Sequence, residues 1–224
     1  MARIRKMGEE CPVQVTVGPL TLDGSLCVPE KSQAIVLFAH GSGSSRLSPR
    51  NQFVARQLRE AGLGTLLFDL LTKAEEETDM DTAQHRFNIR LLSDRLAGAT
   101  DWLIDFAGPE KYNIGYFGAS TGAAAAIIAA AEKPDTVGAI VSRGGRPDLA
   151  EDALSEVKAP TLLIVGGNDA PVISMNQEAL NRLKVEKKLE IIHGATHLFE
   201  EPGALEKVAS LAIDWFKKYL NVSG

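Results

Sequence analysis

Five consecutive residues, Gly118-Ala119-Ser120-Thr121-Gly122, carry the pattern G-x-S-x-G. They lie between a short apolar run, residues 114–117, and an alanine-rich stretch, residues 120–131, that reads as a helix. A serine on a sharp strand-to-helix turn stands exposed at the top of a sheet, with a helix N-terminus behind it that favours developing negative charge. Glycines two positions to either side let the turn pack tightly. A serine that merely caps a helix would show the same letters, but the position between strand and helix points to a nucleophile.

A serine hydroxyl needs a base. Of the four histidines, His197 sits in Gly194-Ala195-Thr196-His197, just after the last apolar run, where a base would follow the serine and the acid in chain order. His193 still belongs to the strand end, and His85 precedes the serine. Asp169, in Gly166-Gly167-Asn168-Asp169, stands at the carboxyl end of the preceding strand and is expected to hold the His197 imidazole in one tautomer. Asp148 and Asp152 precede that strand. Acyl transfer further requires an oxyanion hole. Its expected donors are the backbone N–H of Thr121 and that of Ser42, in the loop His40-Gly41-Ser42-Gly43-Ser44-Ser45. That loop lacks the G-x-x-x-x-G-K pattern of a phosphate cradle. His40 is expected to anchor it by hydrogen bonds.

The elements that must position these residues are legible as alternating runs. Residues 11–17 and 21–28 alternate apolar and polar around Gly18-Pro19, as half-buried antiparallel strands do. Residues 34–38, 65–68, 114–117, 137–141 and 161–165 are near-continuous apolar runs, the mark of strands covered on both faces. Residues 189–192 make a plausible last strand. Between them, Ser48-Pro49 opens a helix ending at Gly62. Residues 86–107 carry an apolar stripe at Ile89, Leu92, Leu96, Ala99, Leu103 and Phe106. Ser174 with Gln177 reads as a capping box opening another helix, and residues 203–220 as the last. The acidic run Glu75-Glu76-Glu77, with Asp79 and Asp81, is expected in a loop. This alternation implies a doubly wound, mostly parallel α/β sheet with helices on both faces, in one domain spanning residues 1–224.

Taken together, the His-Gly loop, the serine elbow, the Gly-Gly-Asn-Asp loop and the Gly-Ala-Thr-His loop resemble the α/β-hydrolase superfamily, and within it the dienelactone-hydrolase-related branch. The resemblance runs from about Ala34 to the last helix. It implies an eight-stranded sheet with an antiparallel second strand, and hydrolysis of an ester or related acyl bond without a cofactor. Dienelactone hydrolase proper has a cysteine nucleophile where this chain has Ser120, a departure that favours a general serine hydrolase. No long insertion follows residues 137–141, so any cap comes from residues 70–85. An acyltransferase on the same triad, or a non-catalytic ligand-binding protein of this fold, are the competing readings.

Arg46, Arg50, Arg143 and Arg146 lie in loops at the carboxyl ends of strands, where open α/β sheets bind ligands. Either they bind an anionic group of a small-molecule acyl substrate, or they pair with the acidic run. The chain has 224 residues, a net charge of −5 and 45% hydrophobic residues, so it is long and apolar enough for a substantial core. The charge lacks the basic footprint of many nucleic-acid binders, and no nucleic-acid partner is expected. Two cysteines, Cys11 and Cys27, suggest neither a metal site nor a disulfide scaffold. The basic start, Met1 to Lys6, has no apolar run behind it, and no stretch reaches membrane-spanning length, so a cytoplasmic monomer or homodimer is expected.

Overall fold

The apolar runs become the middle of one sheet. The computed structural model describes residues 8–108 and 112–220; the basic stretch at residues 1–6 lies outside them. Eight strands, β1 (Cys11–Val17), β2 (Leu20–Cys27), β3 (Ala34–Ala39), β4 (Gly64–Phe68), β5 (Asn113–Ala119), β6 (Val137–Arg143), β7 (Thr161–Gly166) and β8 (Lys187–Ile192), pair in the order β1-β2-β4-β3-β5-β6-β7-β8. β2 runs antiparallel to both its neighbours, and every other pairing from β4 to β8 is parallel. The parallel strands therefore end at one edge, which gathers the loops bearing Ser42, Ser120, Arg143, Asp169 and His197.

Alternate residues of the central strands face different layers. Ile35 and Leu37 of β3 join the core beneath α3 (Ile89–Ala107), α4 (Thr121–Glu132) and α6 (Ala170–Arg182). Val36 and Phe38 join the core beneath α1 (Pro49–Glu60) and α7 (Ala204–Tyr219). Both faces are dry, which is why these strands lack the polar alternation of β1. A 3₁₀ turn at Pro147–Ala150 and the short α5 (Ala153–Glu156) fill the segment between β6 and β7.

Three boundaries differ from the sequence expectation. The acidic run is a helix, α2 (Lys73–Thr82), and not a loop. The Thr72 hydroxyl accepts from Glu75 N–H at 3.2 Å while the Glu75 carboxylate accepts from Thr72 N–H at 2.7 Å, a reciprocal cap. The acidic residues of its first turn also suit the positive end of the helix dipole. α6 begins at Ala170, with Pro171 in its first turn, so Ser174 lies inside the helix and opens nothing. α3 begins at Ile89, capped by the Asn88 side chain accepting from Leu91 N–H at 3.1 Å, because Arg86 turns away to Asp79. The other element ends agree within a residue or two, except that β8 starts earlier, at Lys187.

The closest approach in the sheet–helix layer is at Gly122, where an added Cβ would lie 2.1 Å from the Ala39 carbonyl oxygen. Backbone on both sides leaves no flexible atom to yield. Gly122→Ala should cost about 3 kcal/mol, the upper range for overpacking. In thermal unfolding this reads as a Tm lowered by roughly 6–12 °C for a chain of this size; a shift under about 2 °C would contradict the packing described.

Candidate active site

Ser120 holds a backbone that side chains avoid, with φ 51° and ψ −123°. Such a conformation persists only when its surroundings enforce it. Ser120 N–H donates to Arg143 O of β6 at 3.3 Å, and Ser120 O accepts from Ala123 N–H at 3.1 Å and Arg146 N–H at 3.0 Å. Tight packing completes the clamp: an added Cβ on Gly118 would lie 2.5 Å from Ala123 Cα, and one on Gly41 2.9 Å from Ser120 Cβ. Although Ser120 stands at the N-cap position of α4, its side chain makes no capping bond. The hydroxyl is left for another partner.

His197 and Asp169 are brought together from separate loops. The His197 Nδ1 lies 2.6 Å from Asp169 Oδ2. The loops are laced by backbone: Gly167 N–H donates to Ile192 O at 2.8 Å and Asn168 N–H to Ala195 O at 2.9 Å. The Asn168 side chain adds a bond to Gly194 O at 2.8 Å. Gly166 must be glycine, since a Cβ there would sit 2.5 Å from the Ala195 and Thr196 carbonyls. Asp169 is mostly covered, at 14% exposure, whereas His197 is 41% exposed. The ring packs against the turn after β6, where a Cβ on Gly144, next to Arg143, would lie 3.5 Å from His197 Cε1.

The two expected oxyanion donors also meet, with a bond the sequence did not suggest. Ser42 N–H donates to the Thr121 hydroxyl at 3.1 Å, and the two side-chain oxygens are 3.0 Å apart. The Ser42 hydroxyl donates to Arg86 O at 3.0 Å. In this resting arrangement the Thr121 hydroxyl occupies the Ser42 N–H. His40 anchors the loop as expected: its Nε2 accepts from Leu70 N–H at 3.0 Å while Nδ1–H donates to Gly41 O at 3.1 Å.

The arginines differ in what they already hold. None of the four pairs with the acidic run, where Glu75 pairs instead with Arg95 and Asp79 with Arg86, while Arg50 meets Glu200. Arg46 pairs with Asp69, whose carboxylate also accepts Arg46 N–H at 2.8 Å. Arg146 is bidentate to Asp148 at 2.9 and 2.8 Å. Arg143 is 8% exposed and meets no carboxylate within salt-bridge distance among the described residues. Its guanidinium has Asn51 Oδ1 at 3.4 Å and the Phe199 ring 5.9 Å below. Burial, with Arg50 nearby, pushes its pKa down to about 10.

A cleft of about 530 Å³ opens beside the oxyanion loop, roofed by α2 through Glu76, Asp79 and Met80, with Arg50 in its wall. Gly41, in the wall of the cleft, abuts Ser120. Leu47 and Met80 leave an apolar rim, at 65% and 75% exposure. Asn51 and the Thr121 hydroxyl escaped sequence reading because only the fold brings α1 and α4 to these loops. The capping box of α2, Thr72 with Glu75, was visible and marked the roof.

Sheet order, elbow and acid–histidine loops define an α/β-hydrolase fold. The dienelactone hydrolase family model matches residues 22–221. A dienelactone hydrolase of Anabaena variabilis has 60% sequence identity, with 95% of this chain and 98% of that one covered and a TM-score of 0.93. This chain belongs to the dienelactone hydrolase family. A Mycobacterium tuberculosis protein bearing the provisional name of a phosphoribosyl transferase is 54% identical over 208 residues, 93% of this chain but 46% of its own length. The chain thus spans about half the length of the curated relatives it matches. Est1E of Butyrivibrio proteoclasticus, at 17% identity and TM-score 0.77 over 94% of this chain and 99% of its own, shares the fold. Among the described residues no helix is long and apolar enough to cross a membrane.

Burial holds the His40 pKa below its ordinary value. The unfolded chain therefore takes up a proton near pH 6.5 while the native protein resists until lower pH. The stability tied to neutral His40 is complete above that pH and is lost as the pH falls below it. The unfolding free energy should drop below pH 6.5 by up to about 1.4 kcal/mol per pH unit for this one group. Urea unfolding of His40→Gln between pH 5 and 8 should show a shallower slope than the parent; equal slopes would assign the effect to other groups.

Proposed function

We propose that this chain hydrolyses an ester or related acyl bond of a small molecule through an acyl-enzyme on Ser120. The observation that carries the reading is the 2.6 Å His197–Asp169 pair beside a serine held in a strained, uncapped elbow. Asp169 accepts from His197 Nδ1–H, which leaves Nε2 as the basic nitrogen. Ser120 Oγ attacks the acyl carbon as His197 Nε2 takes its proton. The carbonyl oxygen becomes an oxyanion facing Thr121 N–H and Ser42 N–H. The latter is freed when the Thr121 hydroxyl turns aside. His197 then returns the proton to the leaving oxygen, which departs as an alcohol. Water, deprotonated by the same nitrogen, attacks the acyl-enzyme and releases the acid while Ser120 recovers its proton.

Acyl transfer to an alcohol or thiol would use the same intermediate. The 41% exposure of His197 supports water as the acceptor, since a base open to solvent cannot keep water from the acyl-enzyme. The transferase name of the Mycobacterium tuberculosis relatives belongs to proteins about twice as long, so their activity is not read onto this half-length.

A fluorophosphonate probe should label the intact protein once, at Ser120, and Ser120→Ala should remain unlabelled. Equal labelling of both would remove Ser120 from the chemistry. On p-nitrophenyl acetate, Asp169→Asn should lower kcat by about 10⁴-fold with KM little changed, as expected when the imidazole loses its tautomer. A loss below tenfold would mean that Asp169 does not orient His197.

A further inference from the structure

We infer that Arg143 and Arg50 form a binding site for a phosphoryl group on the substrate, so that the preferred substrates are phosphorylated small-molecule esters. This rests on the acyl-hydrolase reading of Ser120 and adds a substrate class to it.

The backbone of Arg143 adjoins the elbow. Arg143 is the last residue of β6, its carbonyl holds Ser120 N–H at 3.3 Å, and the following residue, Gly144, packs against the His197 ring. The side chain is more than nine-tenths buried yet lacks a counter-charge among the described residues. Its guanidinium meets Asn51 Oδ1 at 3.4 Å, a long neutral contact, and its Nε has no hydrogen-bond partner among the described residues. The Phe199 ring centroid lies 5.9 Å from the guanidinium carbon, a contact that leaves the charge unneutralised. The charge that bears on it is Arg50, of the same sign. Buried charges are ordinarily paired, and Arg50, next in sequence to the Asn51 that Arg143 meets, adds a like charge nearby.

The neighbouring arginines do not share this deficit. Arg46, Arg86 and Arg146 each hold a carboxylate. Arg50 does pair with Glu200 at 3.1 Å, but that carboxylate is 64% exposed, and such a surface pair is weak and readily exchanged. Arg50 lines the cleft and sits in the first turn of α1. Two guanidinium forks match the charge and the oxygen geometry of a dianionic phosphate better than those of a single carboxylate. Hydrolysis at Ser120 would leave the phosphoryl group untouched: water adds across the acyl bond, and the phosphate departs still attached to the alcohol or the acid.

Inorganic phosphate is the probe, with succinate at matched ionic strength for comparison. Titrated calorimetrically into the Ser120→Ala chain, phosphate should bind one-to-one. In the parent chain it should raise the KM for p-nitrophenyl acetate without lowering kcat. Arg143→Gln and Arg50→Gln should each weaken phosphate by about tenfold, the scale of one charge-assisted contact, and Arg143→Lys should recover part of the loss. Arg182→Gln, at the far end of α6, should bind phosphate as the parent does. If Arg143→Gln fails to fold, Arg50→Gln, on the surface turn of α1, carries the test. The inference is overturned if phosphate does not bind, if it binds both glutamine variants undiminished, or if succinate competes as well as phosphate. Fluorophosphonate labelling separates the two readings. Labelled Ser120 without phosphate binding sinks the phosphoryl site alone. Phosphate binding to a chain that never labels keeps the site and removes the acyl chemistry.

Discussion

A serine backbone at φ 51° and ψ −123° is the constraint on which the rest of this molecule is arranged. A non-glycine residue there relaxes unless both sides hold it. Here β6 supplies the acceptor for its N–H, the turn after β6 and the first turn of α4 supply donors for its carbonyl, and the oxyanion loop closes against its Cβ. Each hold comes from a different segment, so the elbow exists only when β3, β5 and β6 are side by side. The dry layers on both faces of the sheet therefore do more than stabilise the fold: their rigidity keeps the strained turn from relaxing.

The same edge concentrates charge, and the balance there is local. Asp169 is matched by His197, Asp69 by Arg46, Asp148 by Arg146 and Asp79 by Arg86. Against that background of closed pairs, a buried arginine without an acid stands out more than any of the exposed charges. The net charge of −5 says nothing of this, because it averages solvated side chains that hardly interact with the few that do.

Much of the fold was legible because burial on both faces writes itself as uninterrupted apolar runs, and β3, β5, β6 and β7 appear almost residue for residue. The elbow, acid and histidine were legible for a related reason, since strand ends and Gly-rich turns mark where a parallel sheet must place them. What stayed hidden depends on contacts between segments distant in sequence. The partner of Arg46 is 23 residues away, and Arg50 meets an acid 150 residues away. The bond from Ser42 N–H to the Thr121 hydroxyl spans 79 residues, and no spacing rule anticipates it. The error at α2 was of another kind. Its charged sequence has no apolar stripe, so periodicity failed where the cap, Thr72 with Glu75, carried the signal.

That helix shows how an acidic run acquires a structural role. Glu75 caps the first turn through one carboxylate oxygen and pairs with the buried Arg95 through the other, at 2.6 Å. Near the far end, Asp79 accepts from His85 N–H and from Arg86 N–H and guanidinium, all within about 3.1 Å. A helix with so little apolar surface gains little from packing, so these polar ties at two points decide its position. Arg86, held by Asp79, presents its carbonyl to the Ser42 hydroxyl, and Ser42 in turn meets Thr121 directly after the elbow. The roof of the cleft and the proposed oxyanion donors are thus one hydrogen-bonded series. Its links are short and partly shielded from water, so a displacement of α2 has to be absorbed at Ser42 and not by solvent.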